Sequence, residues 1–256
     1  NKVIMQHNSN WHQFIPLCPE HPRSKKIYSS YFRTGTAFAL ANNANPFIYE
    51  IFNESSYLCS CKFNRKAFTT ELKNKYKTIT TVNKKFKAKF KTFNEISAIS
   101  RYEMIPAIWV EWCKFNARRY AQILRNYSKV IRDVDRRKNV YITEQLHLPA
   151  IFTPSGAGMD YRLIADELDV LSIEGGWGYG QLRRVTNNQM EAAMLASSYS
   201  FVADFFVALS KGKKTVVNNE HYCTRSRFRK RLPSKNTDII TSMWGEVFHG
   251  LSGSFP

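Results

Sequence analysis

The chain has 256 residues, of which 43% are hydrophobic, enough for one large core and about the length of a single α/β barrel. Its 38 Lys and Arg against 20 Asp and Glu give a formal net charge of +18, which favours contact with nucleic acid or another polyanion. The basic residues are scattered over several helix-like segments without a zinc-finger or RNA-recognition motif, so we expect nucleic acid not to be the partner.

Cysteine usage and hydropathy exclude two further classes of protein. The five cysteines are an odd number without framework spacing, which predicts no disulfide scaffold. The first residues, NKVIMQH, lack the features of a secretion signal, and no apolar run reaches the ~18 residues of a membrane span. The sequence therefore predicts a soluble chain without a membrane partner and leaves its compartment unassigned.

The first half of the chain predicts strands and helices of unequal length. A short strand is expected at Val3–Gln6, followed by an irregular proline-containing segment, a helix over Thr36–Ala41 and a strand at Phe47–Phe52. Lysine-rich helical turns are expected over residues 62–94. Apolar residues at helical spacing over Ala107–Arg137 predict the longest helix of the chain.

The second half of the chain has a regular alternation of elements. Helices are expected at Tyr161–Glu167, Gln189–Ser210 and Ile239–Phe248, and strands at Asn139–Thr143, Leu168–Ile173, Thr215–Val217 and Leu251–Phe255. Strands separated by helices imply right-handed crossovers and a parallel sheet. We expect an α/β fold of the (β/α)8 TIM-barrel type, with a single catalytic-barrel domain over residues 1–256. Its six predicted strands are two fewer than a complete barrel needs.

Two predicted strands stop on an Asn-Glu pair. FIYEIFNE ends at Glu54, and KTVVNNE ends at Glu220. The C-terminal strand ends of a barrel carry its chemistry, and two carboxylates placed there can flank one glycosidic bond. Either glutamate alone is more often a salt-bridge partner or a helix N-terminal acid. The repeated pair favours a retaining glycosidase.

Four other stretches carry a family resemblance. The run ELKNKYKTITTVNKKFKAKFKTFNEI, which soon follows FNESSYLCSCKFNRKAF, is similar to the segment after the acid/base glutamate of glycoside hydrolase family 42, the β-galactosidases of the glutamate-pair barrel clan. NKVIMQH resembles that family's third strand, CPEHP a proline-containing loop, and MWGEVFHGLSGSF the helix and strand that close its barrel. The resemblance implies that strands three to eight are present and that strands one and two lie outside this chain, so that the domain is truncated at its N-terminus.

The resemblance also implies roles for individual residues. Glu54 would be the general acid/base and Glu220 the nucleophile, with carboxyl groups about 5–5.5 Å apart, and Asn53 would reach the sugar 2-OH. The remaining candidate substrate contacts are Glu174, Trp177 and Tyr179, after the strand at 168–173, and Glu246 and His249, three residues apart on one predicted helix face. Trp177 is equally a packed loop residue, and Glu246 and His249 are equally polar residues of a helix end.

Many family members hold a structural zinc ion with cysteines just beyond the acid/base. Cys59 and Cys61 keep part of that pattern, but Asn64 replaces the next cysteine, and Lys26 or Ile27 stands where an upstream one is expected. A structural zinc site needs four nitrogen or sulfur ligands. We therefore expect no metal and no other cofactor.

The predicted activity is hydrolysis of a β-galactoside-like sugar with retention of configuration, with a carbohydrate as the partner and a homo-oligomer left open. One alternative is a non-catalytic or degenerate carbohydrate-binding homologue. Strands one and two normally help to shape the pocket, and Phe86, Lys87 and Lys91 stand where the family carries tryptophans at its sugar site. A basic protein that binds polyanions or nucleic acid is the third alternative.

Overall fold

The fold is known from a computed structural model that describes residues 15, 17–98, 105–146, 158–173, 189–219 and 236–254. Within these ranges, helices alternate with five strands that form one parallel sheet, as the sequence predicts for an α/β protein. No helix of the described ranges has the length and apolar character needed to cross a bilayer. The chain divides into two compact units, the first with residues 1–45, 56–137 and 153–164 and the second with residues 46–55, 138–152 and 165–256.

The helices and strands are numbered here in chain order. The helices are α1 (Pro22–Ala41), α2 (Lys62–Tyr76), α3 (Ile79–Phe86), α4 (Phe93–Ala98), α5 (Pro106–Val134), α6 (Tyr161–Glu167), α7 (Gln189–Ser210) and α8 (Asn236–Phe248). The strands are β1 (Ile48–Asn53), β2 (Tyr141–Leu146), β3 (Val170–Ile173), β4 (Thr215–Asn218) and β5 (Gly253–Ser254).

The sheet lies in the second unit, and its strands follow each other in chain order, β1-β2-β3-β4-β5. Every neighbouring pair is parallel, and one row of partners runs through Asn53, Gln145, Ser172, Val217 and Gly253. The carboxyl ends of all five strands therefore lie along one edge of the sheet. Residues that follow β1, β3 and β4 leave the sheet at that edge, where the chemistry of such folds is built.

Strands β2, β3 and β4 are largely buried, and helices pack on the sheet. All four residues of β3 are buried, and α7 packs on β3 and β4 while α8 packs on β5. The start of the sheet is fixed by polar contacts: the Ile142 N–H donates to Oδ2 of Asp169 at 2.6 Å, and the Thr143 hydroxyl donates to the Val170 carbonyl at 2.9 Å. Burial on both faces produces the near-continuous apolar strands that the sequence shows.

The first unit is a helical body in which α1 packs on α5, and α2 packs on α3 and α4. Its core is aromatic: the Phe68 and Trp112 rings meet edge to face with centroids 4.9 Å apart, and Trp112 stacks on Phe115 at 5.7 Å. A buried carboxylate ties the loop before α1 to α5, since the Arg119 Nε–H donates to Oε1 of Glu20 at 2.9 Å. This pairing offsets the cost of burying Glu20, which is 6% exposed.

Helix α1 is the largest departure from the sequence prediction, which placed an irregular segment before Thr36. The helix begins at Pro22, where a missing N–H costs nothing, and Nδ1 of His21 accepts a hydrogen bond from the Arg23 N–H at 3.1 Å. Half of its buried face is polar, which hides the helical period from a search for apolar spacing. The buried residues are Ser24, Tyr28, Phe32 and Thr36.

Elsewhere the differences concern the ends of elements. The helices at Tyr161–Glu167 and Gln189–Ser210 are confirmed as α6 and α7. Strand β2 starts and ends later than the predicted Asn139–Thr143. Its second half contains the buried polar residues Glu144 and Gln145, which a search for apolar residues does not assign to a strand. Strand β5 is shorter than the predicted Leu251–Phe255. The strand predicted at Val3–Gln6 lies outside the described residues.

Two glycines with the same backbone conformation allow a matched test of the packing around Tyr57. Gly158 and Gly212 both have φ of +65°, but a Cβ on Gly158 would meet the Tyr57 carbonyl oxygen at 1.9 Å, whereas one on Gly212 meets nothing within 4 Å. We expect Gly212→Ala to lower the free energy of unfolding by about 1–2 kcal/mol through the left-handed backbone alone. Gly158→Ala should cost more than about 4 kcal/mol or prevent folding. Urea denaturation measures both, and equal losses would contradict the contact with Tyr57.

Candidate active site

Strand β1 ends at the glutamate that the sequence predicts as the acid/base. Glu54 directly follows Asn53, is 4% exposed and adopts φ of +44°. Its N–H donates to the Gln145 carbonyl at 3.0 Å, and the pairing of β1 with β2 is irregular between Glu50 and Asn53. A left-handed conformation costs a non-glycine residue about 1–2 kcal/mol and persists where the surroundings impose it. Glu54 is thus a buried carboxyl residue held at the C-terminal edge of the sheet.

Strand β4 ends at Asn218, and Asn219 follows it. The Asn219 N–H donates to the Ile173 carbonyl at 2.8 Å, which extends the pairing with β3. The side-chain Nδ2 of Asn219 donates to Oε2 of Glu50 on β1 at 2.6 Å. In a flat sheet, β1 and β4 would lie about 14 Å apart, because two strands separate them. The hydrogen bond therefore requires a strongly curved sheet, with both side chains on its concave face.

Glu50 is the acidic residue inside this curve. Although the residue keeps solvent exposure, its carboxylate lies close to neighbouring strands, and this desolvation raises the pKa of Glu50 while the hydrogen bond from Asn219 opposes the rise. The Asn219 amide also lies 3.5 Å from Oε1 of Gln145 on β2. Asn219 therefore links three strands, β1, β2 and β4, immediately before Glu220 in the chain.

The two residues predicted on one helix face have different partners. Glu246 is 3% exposed, and its Oε1 accepts a hydrogen bond from Nδ2 of Asn218 at 2.7 Å, at the C-terminal edge of β4. His249 lies beyond the end of α8, and its Nδ1 is 2.7 Å from Oδ1 of Asp204 on α7. The pair separates because α8 stops at Phe248 and the chain turns at Gly250, where φ is +83°.

Four of the predicted site residues lie outside the described residues: Glu174, Trp177, Tyr179 and Glu220. The residues that precede them are described. Ile173 ends β3 and pairs with Asn218 on β4, and both strands end at the same sheet edge as β1. The predicted distance between the carboxyl groups of Glu54 and Glu220 stays a prediction.

Three buried cysteines meet in the first unit. The Sγ atom of Cys18 lies 3.5 Å from that of Cys59 and 3.3 Å from that of Cys61, and all three atoms lie within 4.8 Å of one another. Three corners of a tetrahedral zinc–thiolate site would be about 3.8 Å apart, since the zinc–sulfur bond is about 2.3 Å. Hydrogen bonds from Cys18 and Cys59 lower the pKa of Cys61, the N-cap residue of α2, to about 2. The three sulfur atoms thus lie close to the spacing of three corners of a zinc–thiolate site.

The fourth corner of this cysteine cluster is not a thiolate. Asn64 is fully buried, and its Nδ2 donates to the Cys59 carbonyl at 2.5 Å and to Oδ1 of Asn116 at 2.7 Å. Its Oδ1 accepts a hydrogen bond from the Tyr57 hydroxyl at 3.4 Å. The residues therefore fit a metal ion held by three thiolates, which would cross-link the loop before α1 to the start of α2.

Cys18 is the member of the cysteine cluster that the sequence did not reveal. The metal pattern was sought near Lys26 and Ile27, which lie on α1, whereas Cys18 precedes that helix. It is separated from Cys59 by 41 positions, and only the folded chain shows that the two meet. The CPEHP motif, which carries part of the family resemblance, begins with Cys18, and this motif was the sequence feature that could have pointed to the residue.

Comparison with known proteins agrees with the fold. The family model for glycoside hydrolase family 42, described as β-galactosidase, matches residues 8–252. The chain belongs to glycoside hydrolase family 42. No curated protein matches the sequence.

Solved structures share the fold at low sequence identity. The β-galactosidase from Bacillus circulans sp. alkalophilus has 15% identity and a TM-score of 0.69, over 98% of this chain and 37% of the other. The β-galactosidase from the psychrophilic Marinomonas ef1 has 11% identity and a TM-score of 0.72, over 99% and 40%. A family 42 exo-carrageenase from Bacteroides ovatus has 16% identity and a TM-score of 0.70, over 94% and 35%. The chain thus spans less than half the length of these structures.

The cysteine cluster yields a test through its fourth corner. We expect Asn64→Cys to complete a four-thiolate set and to raise the zinc affinity at least about tenfold, because a fourth thiolate replaces an amide that is engaged elsewhere. Cys18→Ser should abolish tight zinc binding, and Cys113→Ser, outside the cluster, should leave it unchanged. Competition with a chromogenic chelator measures the affinity, and the shift of the unfolding midpoint on adding zinc gives a second readout. Equal zinc affinity in the Cys18→Ser and unchanged chains would rule out the site.

Proposed function

We propose that this chain is the catalytic-barrel part of a retaining glycoside hydrolase that acts on β-galactoside-like sugars with Glu54 and Glu220. The observation that carries the proposal is the hydrogen bond between Asn219 and Glu50. It joins the residue before Glu220 to the strand that ends at Glu54, and so supports two carboxyl groups facing one pocket. The described strands β1 to β5 would be strands four to eight of a closed (β/α)8 barrel.

In the proposed mechanism, the two glutamates divide the work. Glu54 would donate a proton to the glycosidic oxygen while Glu220 attacks the anomeric carbon, and Glu54 would then deprotonate the water that releases the sugar from Glu220. In the proposed mechanism, an ionised carboxylate about 5–5.5 Å away would favour the protonated form of the acid. The strained backbone at residue 54 supports a catalytic position.

The remaining candidates would bind the sugar. Asn53 precedes the acid/base and would reach the 2-OH, and Glu246 would accept from a sugar hydroxyl while Asn218 holds its other oxygen in place. Glu174, Trp177 and Tyr179 are proposed contacts on the chain that follows β3. His249, engaged by Asp204, is the weaker candidate of the set, because that contact turns it toward α7.

A binding-only function is the second candidate, favoured by the positions at which the family carries sugar-site tryptophans. Phe86 is 8% exposed and packs in the core of the first unit against Tyr76, with ring centroids 5.5 Å apart. Lys87 and Lys91 are exposed cations. None of the three offers an exposed aromatic face to a sugar ring.

Removing each carboxylate separately tests the proposed mechanism. We expect Glu220→Gln to lower kcat/KM at least about a thousandfold on every β-galactoside, because the nucleophile is lost. Glu54→Gln should lower it about a hundredfold or more for an alkyl galactoside, whose leaving group needs a proton. For a nitrophenyl galactoside, whose leaving group departs unprotonated, the first step should be nearly unaffected and the loss smaller. Steady-state kinetics on both substrates measures this difference.

Asp166→Asn, at an exposed residue of α6, is the control and should keep full activity. Equal losses for both leaving groups in Glu54→Gln would remove Glu54 as the acid. If the unchanged chain cleaves no galactoside while galactose still raises its unfolding midpoint, the hydrolase proposal fails and the binding-only function stands.

A further inference from the structure

Most of the net charge of this protein is concentrated in one short part of the first unit. Residues 62–91, named here the lysine-rich hairpin, comprise α2, α3 and the turn that follows α3. They contain eleven Lys and Arg residues and a single Glu, a net charge of +10 out of +18 for the whole chain. All ten lysines are exposed: Lys62, Lys66, Lys73, Lys75, Lys77, Lys84, Lys85, Lys87, Lys89 and Lys91. The charge that looked scattered in the sequence is thus local.

Acidic partners leave most of this charge uncompensated. Lys75 pairs with Glu111 at 2.6 Å, the one salt bridge of a hairpin lysine within the described ranges. Glu71, the single acid of the hairpin, is bound to Arg118 of α5 rather than to a lysine. Like charges four residues apart on a helix, as at Lys62 and Lys66, destabilise it by a few tenths of a kcal/mol. The repulsion between Lys62 and Lys66 is therefore a cost to α2 that no salt bridge of these two lysines offsets within the described residues.

The hairpin holds its lysines in a fixed arrangement. Lys62, Lys66 and Lys73 follow one another at spacings of four and seven residues, so they lie along one face of α2. The turn after α3 is closed by both ends of one amide: Nδ2 of Asn83 donates to the Phe90 carbonyl at 2.8 Å, and its Oδ1 accepts from the Phe90 N–H at 2.9 Å. Beneath them lies the apolar core of the unit, to which the hairpin contributes Phe68, Leu72, Tyr76, Val82 and Phe86.

A rigid surface with this charge attracts polyanions and concentrates them locally. We propose that the lysine-rich hairpin binds a sulfated polysaccharide and that, on the proposed glycosidase function, the natural substrate is a sulfated galactan. Ammonium groups at intervals along a helix and a turn match sulfate groups repeated along a flexible sugar chain. Each contact is a charge-assisted hydrogen bond between an ammonium group and a sulfate oxygen.

The same surface is poorly suited to nucleic acid. Recognition of bases relies on arginine forks and on exposed aromatic rings that stack. Arg65 is the one arginine among the hairpin residues. Its Nε donates a hydrogen bond to the Ser60 carbonyl at 2.7 Å. The aromatic rings of the hairpin are buried or half-buried. Lysines without stacking rings favour the sulfate esters of a polysaccharide.

The test compares binding of one galactan before and after chemical desulfation, using the full chain with Glu220→Gln so that hydrolysis does not interfere. A triple variant, Lys66→Gln, Lys84→Gln and Lys89→Gln, removes charge from α2, α3 and the turn. The matched control, Lys26→Gln, Lys129→Gln and Lys138→Gln, removes the same charge from exposed lysines outside the hairpin. Affinity electrophoresis and calorimetry measure binding between about 50 mM and about 200 mM salt.

We expect the sulfated galactan to bind at least about tenfold more tightly than the desulfated one, with affinity falling steeply as salt rises. The hairpin variant should lose about tenfold in affinity, and the control less than about twofold, because dispersed charge acts only at long range.

Equal losses in both variants, equal binding of the two polymers, or tighter binding of duplex DNA at the same salt would each overturn the inference. Cleavage of a neutral galactoside without binding of the sulfated polymer overturns this inference alone. Binding without cleavage of any galactoside by the unsubstituted chain supports the surface and overturns the proposed function.

Discussion

The curvature of the parallel sheet is the constraint on which the proposed chemistry depends. Asn219 and Glu50 are hydrogen-bonded although two strands separate β4 from β1, and only a curved sheet permits this contact. Because of this curvature, the five strand ends lie on an arc, whereas in a flat sheet they would form a line. The proposed action of Glu54 and Glu220 on one substrate depends on this curvature.

Polar side chains join separate segments of the chain in both units. In the second unit, Asn218 and Asn219 each bind a glutamate from another element, Glu246 and Glu50. In the first unit, Asn64 links Tyr57, Cys59 and Asn116. Buried amides satisfy donors and acceptors at once, so each can join two or three segments where a charged group would demand an ion pair. The apolar core stabilises each unit, and the hydrogen bonds of these amides fix how its segments align.

The sequence predicts the α/β alternation, the parallel sheet and the strand-end position of Glu54, because each depends on local period or on neighbours in the chain. Features that depend on contacts between distant residues were missed. Helix α1 carries a half-polar buried face that only α5 explains, and Cys18 joins Cys59 and Cys61 only after folding. The partner of His249 also escaped, since Asp204 lies on α7, 45 positions away in the chain.

The positive φ of Glu54 bears on whether this site has decayed. Glycine is the residue that this backbone prefers, and a change from glutamate to glycine there would relieve strain and stabilise the fold. If catalysis were lost, replacement of Glu54 by glycine or asparagine would therefore be favoured, because both residues adopt this backbone with less strain. A glutamate at this position therefore carries a cost in backbone strain, and the proposed catalytic role of Glu54 would account for that cost.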